Sequence, residues 1–545
     1  MKKYFRNTTL FIASALVFNA CTEKIDEAYS NPNARVKQPI ELLMPNIIQN
    51  MAISNTAQGS LYGPQNDGLY VGRYIQNWAT NTAGNQYDMM GQTTTNSTAA
   101  TSDIGGSHWA MHYYGMGTNL SKVIEWGIEQ KKWDYVGVAH AIRAWSWLTV
   151  TDMHGEIIVN DAFRPDLLVF RYNTQEEVYE EVKRNCRLAF QYLDMTGDSV
   201  SEANLAKGAL YHSYKGDRSK WKKFANAIMA RVFHRTTNKA TYKADSVLHY
   251  ANLSLADHND NAYVLFQGVS SQTNSFYGPF RGNIGTFRQT KFIADLESGL
   301  NTAFPGVQDP RAWYIIRENP NGTFKGILPG KGVQSLPLAD QPQNFWGGPY
   351  SSTVGTNAAA RYVFKDAMPW PVLTSTEIQF VKAEAYYLKG QKENALSAYR
   401  EGISQNIDML NALYTTSVPA AKIITPAVKN DFLSNPLVVP TVADLNLSHI
   451  MLQKYIAMYG YGLLETWVDM RRYHYTDVEQ GTTRQVYADF SPPIGSDLFI
   501  NNLGKYIYRV RPRFNSEFLY NVDALSQIGA LSLDFHTKEQ WFSMR

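Results

Sequence analysis

Apolar residues recur at helical spacing along several stretches of the chain, most clearly over Phe380–Ile403. Val381, Ala385 and Leu388 fall on one face; beyond a turn at Gly390-Gln391, Ala395, Leu396, Tyr399 and Ile403 do the same. The small residues Ala383, Ala385, Ala395 and Ala398 allow two helices to approach closely, and Tyr386, Tyr387 and Tyr399 fill the space around them. A second stripe, Leu452, Tyr455, Ile456, Tyr459, Leu463 and Trp467, runs through Ser448–Tyr473, with Gly460 and Gly462 placed to break it into two helices. Helices are also predicted over Trp109–Met153, capped by Gly155, and near Thr174–Leu193, Lys220–Thr236 and Tyr242–Leu255. Shorter ones are predicted over Ile40–Asn50 and Leu69–Ala79, with Trp78 near the end of the latter. The pattern fails in two long stretches. Residues 80–107 are rich in Thr, Ser, Asn and Gly and read as a long loop. Residues 258–370 mix Gly, Pro, Asn, Ser and aromatics and read as loops, turns and short strands. Residues 417–441 are punctuated by Pro, and the chain from about 484 reads as irregular with short strands.

Of the 545 residues, 44% are hydrophobic, enough for a large core. A net charge of +3 gives no electrostatic footprint for nucleic acid. Aromatic content is 13%, with 34 Tyr and 12 Trp, more than a helical core requires; the excess points to a surface that stacks on a ligand. The two cysteines, Cys21 and Cys186, form no disulfide framework or zinc spacing, and Cys186 reads as a small buried hydrophobe.

Residues 1–20 have a basic start, Lys2, Lys3 and Arg6, then an apolar run, Leu10–Phe18, too short to span a membrane. Val17-Phe18-Asn19-Ala20-Cys21 places a small residue directly before a cysteine and resembles a bacterial lipobox; the bland alternative is ordinary signal cleavage. On the lipobox reading Cys21 is the acylated mature N-terminus, residues 21–39 are a lipidated tether, and 40–545 form a single domain. Helices are then expected near 109–255, 374–405 and 448–475, with insertions at 80–107 and 258–370. The acidic Glu23, Asp26 and Glu27 resemble the surface-export signal of Bacteroidetes lipoproteins.

The 380–403 pair resembles a tetratricopeptide (TPR) hairpin, which cannot bury its apolar face without stacked neighbours. Four blocks extend the likeness. They are Arg143-Ala144-Trp145 through Asp152 to Gly155-Glu156; Trp221–Ala227 with Arg231; Ala383-Glu384-Ala385 with Tyr399 and Gly402-Ile403; and Gln453–Ala457 running to Glu465–Arg472. With the lipoprotein signal they resemble the SusD/RagB family of outer-membrane nutrient-binding lipoproteins, and Asn31-Pro32-Asn33 and Leu42–Pro45 resemble its SusD-like subgroup. The resemblance implies a mainly α fold: about four TPR-like hairpins, with loop and short-strand insertions forming a variable ligand face. It also implies a non-enzymatic role without a cofactor. The partner it implies is a SusC-type TonB-dependent outer-membrane transporter, over which the lipid-anchored protein sits as a lid facing the extracellular side. The cargo is oligosaccharide or, in RagB-like members, oligopeptide.

Glycan capture needs flat aromatic faces with amides beside them, placed on loops where the core does not consume them. Trp78 with Asn81, Tyr87 with Asn85 and Gln86, Tyr277 and Phe280 with Asn274 and Arg281, and Trp346 and Tyr350 with Asn344 meet that description. The competing role for each is to pack its own loop against the bundle. Trp109, Tyr113, Trp145, Tyr455 and Trp467 read as core. Peptide capture would leave fewer exposed aromatic faces. A TPR-type scaffold for another protein, with no small ligand, is a further reading.

Signals for enzymatic or metal chemistry are weak. His108 and His112 share a helical spacing, but Trp109 stands where a zinc-protease motif has Glu, and no third ligand is evident. Asp257, Asn259 and Asn261 begin like a calcium loop that then lacks Gly and Glu at Ala262 and Gly268. Pro329–Gly332 lacks the P-loop spacing. Asp152 and Glu156 have the spacing of a facing acid pair at a helix end, where capping or packing is the simpler account.

Overall fold

The computed structural model describes residues 37–55, 61–84, 87–88, 105–269, 274–349, 352–414, 417–499 and 502–545. Cys21, Asn85, Gln86 and Tyr350 lie outside them.

The helices include α1 (Met44–Asn50), α2 (Pro64–Tyr74), α3 (Gly117–Glu129), α4 (Trp133–His154), α5 (Gln175–Asp194), α6 (Arg218–His234), α7 (Ala244–Asn252), α8 (Ser375–Leu388), α9 (Lys392–Leu413), α10 (Leu447–Ala457) and α11 (Leu463–Arg472). Side chains start several of them. Thr174 and Glu177 form a reciprocal capping box at α5; Asp217, Thr374 and Asn446 accept backbone N–H groups at α6, α8 and α10. Gly155 ends α4 as expected.

The fold is mainly helical, and its successive helices pack as TPR-like hairpins, α8 with α9 among the most intimate pairs. Gly390, at φ +75°, makes the turn between them, a conformation that costs any residue with a side chain. Ala383, Ala395 and Tyr399 are fully buried, and a Cβ on Gly402 would lie 3.0 Å from the Phe380 ring. The Tyr399 hydroxyl donates to Val438 O at 2.6 Å. Leu388 departs from the predicted stripe and is 43% exposed at the hairpin tip. The predicted break at Gly460 and Gly462 separates α10 from α11.

Between the helices lies a layer of buried charge. Arg231 on α6 holds Glu377 on α8 at 2.6 Å and Glu465 on α11 at 3.2 Å; Arg235 joins Glu465 to Asp152 of α4. Arg472 bridges Glu384 and Asp469, each at 2.7 Å, and Lys454 takes the other Asp469 oxygen. Burial alone would push the Glu384 carboxyl up, but Arg472 and His234 outweigh it and hold the group well below its ordinary range.

The insertion attaches through two small antiparallel sheets. Strand β1 (Trp78–Thr80) pairs with β3 (Phe287–Gln289), Trp78 opposite Gln289; β2 (Ala262–Val264) pairs with β4 (Trp370–Leu373) across a register irregularity. The predicted helix over Leu69–Ala79 therefore ends early. Gln76 turns the chain at φ +59°, and Trp78 enters a strand. Among the described residues no helix is long and apolar enough to cross a membrane.

Candidate functional site

The aromatics expected to face a ligand are for the most part the core of the insertion. Trp78 is fully buried against Tyr277, Phe287, Phe345, Phe364 and Tyr459, with ring centroids 5.6–6.5 Å away. Tyr277 is fully buried, and Trp346 is buried beside it with its indole N–H donating to Tyr277 O at 2.8 Å. Tyr87 stacks on Tyr74 at 4.9 Å and donates its hydroxyl to Tyr74 O. The structure therefore corrects the expectation for Trp78, Tyr87, Tyr277 and Trp346: the ring faces that would stack on a ligand are occupied by protein. The physical reason is that the insertion has little regular structure. Ring-on-ring packing and side-chain amides fill its interior and satisfy its backbone.

Asn344 is corrected on the same ground. Fully buried, it donates to Ser352 O at 3.0 Å and Val354 O at 2.9 Å, and its carbonyl accepts from the Trp346 and Gly348 N–H groups. Its hydrogen-bonding groups are spent on shaping the loop around it.

Two of the expected residues reach the surface. Asn81, partly exposed, follows β1, with its N–H on Thr286 O at 2.7 Å and its carbonyl accepting from Val333 N. Phe280 is 64% exposed at the tip of a clamped turn. The Phe280 N–H donates to Asp366 Oδ1, and the Ser275 N–H donates to Asp366 O. Asp366 N–H in turn donates to Asn357 Oδ1 at 2.9 Å. A Cβ on Gly278 would lie 2.2 Å from Asp366 Oδ1, so the turn closes this tightly only with glycine there. Burial raises the Asp366 carboxyl, and the Phe280 N–H opposes the rise. Val354 is exposed on the loop that Asn344 holds. Phe280 is thus a mostly solvent-exposed ring on a clamped turn.

A cleft of about 640 Å³ opens beside the 344–349 loop, lined by Pro320, Leu338, Gln341, Gln343 and Pro349. Its size is that of a small-molecule site. Gln343 Oε1 accepts from Arg317, whereas Gln341 Oε1 is buried with no hydrogen-bond partner. Sequence reasoning missed this cleft because it carries no aromatic signal. The available sign was Gln341-Pro342-Gln343, two amides fixed around a proline.

The residues weighed for catalysis are committed elsewhere. Asp152 is held by Arg235 and Tyr179, and Glu156 by Arg509. His108 Nδ1 lies 2.6 Å from Asp67, and His112 Nδ1 lies 2.6 Å from Ser146 Oγ, so the two rings serve different partners. Among the described residues no group of three or more His, Cys, Asp or Glu is arranged to hold a metal.

A family model described as SusD-like, starch-binding and associating with the outer membrane matches residues 32–492. The chain belongs to the SusD-like family. No curated protein matches it by sequence. Solved SusD-type structures share its fold at low identity. A chitin-binding SusD homologue from Flavobacterium johnsoniae is 19% identical, with TM-score 0.63 over 93% of this chain and 99% of that one. A SusD/RagB family protein from Bacteroides thetaiotaomicron is 18% identical, with TM-score 0.62 over 93% and 99%. A Bacteroidetes SusD-like protein is 15% identical, with TM-score 0.67 over 93% and 100%. The SusD-like family is one of outer-membrane-associated binding proteins, and that coarse role extends to this chain.

Proposed function

We propose that this SusD-like protein captures oligosaccharides at the cell surface and passes them to a SusC-type TonB-dependent transporter, without catalysing a reaction. One observation carries the reading: the insertion presents the solvent-facing Phe280 ring and a cleft lined in part by the Gln341 and Gln343 amides. A ring face takes the C–H surface of a pyranose, and the Gln341 and Gln343 amides offer donors and acceptors to its hydroxyls. Starch in the family description and chitin in the Flavobacterium homologue support the choice of glycan. Acylation of Cys21, after removal of residues 1–20, supplies the anchor, with 21–39 as tether to a domain over 40–545. Loading then favours the closed lid only if ligand contacts both protein and transporter in that state.

A second reading, capture of oligopeptides, draws on the apolar walls Pro320, Leu338 and Pro349, which suit side chains better than sugars. Isothermal titration with a panel of oligosaccharides and a mixed oligopeptide pool separates the two. Heat with a glycan, reduced in Phe280→Ala, supports the first reading; heat only with peptides rejects it. Product formation from any polysaccharide would reject the non-enzymatic role.

A further inference from the structure

Away from the insertion face, a cleft of about 460 Å³ opens where the tip of the α8–α9 hairpin meets the start of α10 and the 479–488 loop. Tyr387 and Lys392 line one side, Asn446, Ser448 and His449 another, and Glu479 and Arg484 the third.

Its charges are matched within its own walls. Lys392 Nζ donates to Ala443 O and Leu445 O, Arg484 faces Glu479 at 3.7 Å, and Asp444 accepts from Thr441 Oγ1. Glu479 also accepts from the Tyr387 hydroxyl. Two cations, Lys392 and Arg484, stand against two anions, Asp444 and Glu479, so a charged ligand would meet an opposing like charge. Of the groups left without a hydrogen bond two are neutral, beside Glu479 Oε2, which has only the 3.7 Å approach of Arg484. Ser448 Oγ, on a residue 1% exposed, and His449 Nδ1 have no hydrogen-bond partner, although buried polar atoms in folded proteins nearly always have one. Burial draws His449 down to about 4, so near neutral pH its imidazole is uncharged, with one nitrogen able to donate and the other to accept. The Tyr387 ring is partly exposed.

We infer that this cleft is a second carbohydrate site, sized for one to three sugar units, that takes neutral hydroxyl-rich ligands. Three properties argue for that class over a free acid or amine: compensated charge, mixed neutral donors and acceptors, and an aromatic wall. The site uses none of the residues of the Phe280 face and stands or falls independently of it.

The test is titration of the purified protein with maltotriose and with chitotriose up to roughly 10 mM, a range that captures dissociation constants of about 1 mM. It compares wild type, Phe280→Ala, and Phe280→Ala combined with Ala443→Trp or Ser448→Ala. Ala443 is exposed on the rim, so the indole narrows the mouth without removing a core contact; Ser448 Oγ has no partner, so its loss leaves the fold intact. The expected result is that Phe280→Ala still binds one of the sugars, that Ala443→Trp weakens this remaining binding at least about tenfold, and that Ser448→Ala weakens it by about fivefold. If Phe280→Ala abolishes all sugar binding, or if the remainder ignores both added substitutions, the second site is overturned while the insertion-face reading stands. If Phe280→Ala changes nothing and Ala443→Trp abolishes binding, the second site stands and the Phe280 reading falls. Silence of the wild type towards both sugars overturns the inference.

Discussion

Between α6, α8, α10 and α11 the bundle buries charge, with Arg231, Arg472 and Lys454 each within 2.7 Å of a carboxylate and all nearly inaccessible to solvent. Under the insertion the buried groups are rings and amides: Trp78 among five aromatic neighbours, Trp346 on Tyr277 O, Asn344 on four backbone groups. Helices satisfy their own backbone, so polar side chains in the bundle are free to pair with one another. Loops do not, so the insertion draws on Asn, Trp and Tyr for that purpose. A tryptophan in an irregular, polar segment is therefore weak evidence of a ligand face.

The hardest way to break this arrangement is to cut the charge layer. Glu384→Ala leaves Arg472, His234 and the Tyr473 hydroxyl without their shared acceptor. A stability loss of about 5 kcal/mol is expected, the upper end for removing one member of a buried ion pair. Denaturant unfolding measures it. The double replacement Glu384→Leu, Arg472→Met should recover part of the loss, and failure to do so would show that the layer also holds helix register.

Trp78→Ala attacks the other interior and should cost about 4 kcal/mol through the cavity it leaves. The cost should be local. Hydrogen exchange is expected to accelerate in β1, β3 and the 344–346 segment while α8 and α9 stay protected. Equal acceleration in both regions would show one cooperative core and dissolve the contrast.

Buried histidines and the buried Asp88 answer pH with opposite signs. Burial holds His140 and His154 down at about 4 and His212 and His536 at about 3, and it lowers His112 well below its ordinary value. The unfolded chain takes up protons at these positions below its ordinary 6.5 and the folded chain does not, so stability falls from pH 6.5 towards 4. Glu384, Glu465 and Asp469, held low by their cations, add to the loss only as pH drops below the ordinary carboxylate range. Asp88, which accepts from Phe499 N and Asn502 Nδ2, is raised to about 6 by burial, so its ionisation destabilises the fold above pH 4 and its protonation relieves that cost. Denaturant midpoints should show stability falling between pH 7 and 5, with about 1 kcal/mol of the loss returned by Asp88. In Asp88→Asn the net loss should grow by that amount.

Asn344→Ala is a smaller cut, about 2 kcal/mol for loop carbonyls and N–H groups left unpaired, and it should loosen 344–354 alone. It also shows what the sequence made legible. The α8–α9 hairpin was readable because small and large apolar residues at helical spacing have one packing solution, and the Gly460–Gly462 break and the Gly155 cap followed from backbone conformation. The ligand face was barely readable. Phe280 and Tyr277 stand three residues apart in one aromatic, Asn-flanked segment, yet one is 64% exposed and the other fully buried. What separates them is the Asp366 clamp, made across 86 residues of sequence and invisible to any local pattern.

Phe280→Ala should leave stability within about 0.5 kcal/mol, because the ring is mostly in solvent and the turn is held by backbone groups that alanine keeps. Its effect belongs to binding. If the ring is the platform for a sugar, affinity for the best oligosaccharide should fall about tenfold, and Phe280→Trp, with a wider face, should restore or exceed the original. Asp366→Ala sharpens the point: it keeps the ring but removes its clamp, so it should weaken binding several-fold and speed hydrogen exchange at 275–281. A Phe280→Ala protein that binds every oligosaccharide as wild type does would mean that even the exposed ring of the insertion serves something other than sugar, and the amide-lined cleft at Gln341 would then carry the ligand face alone.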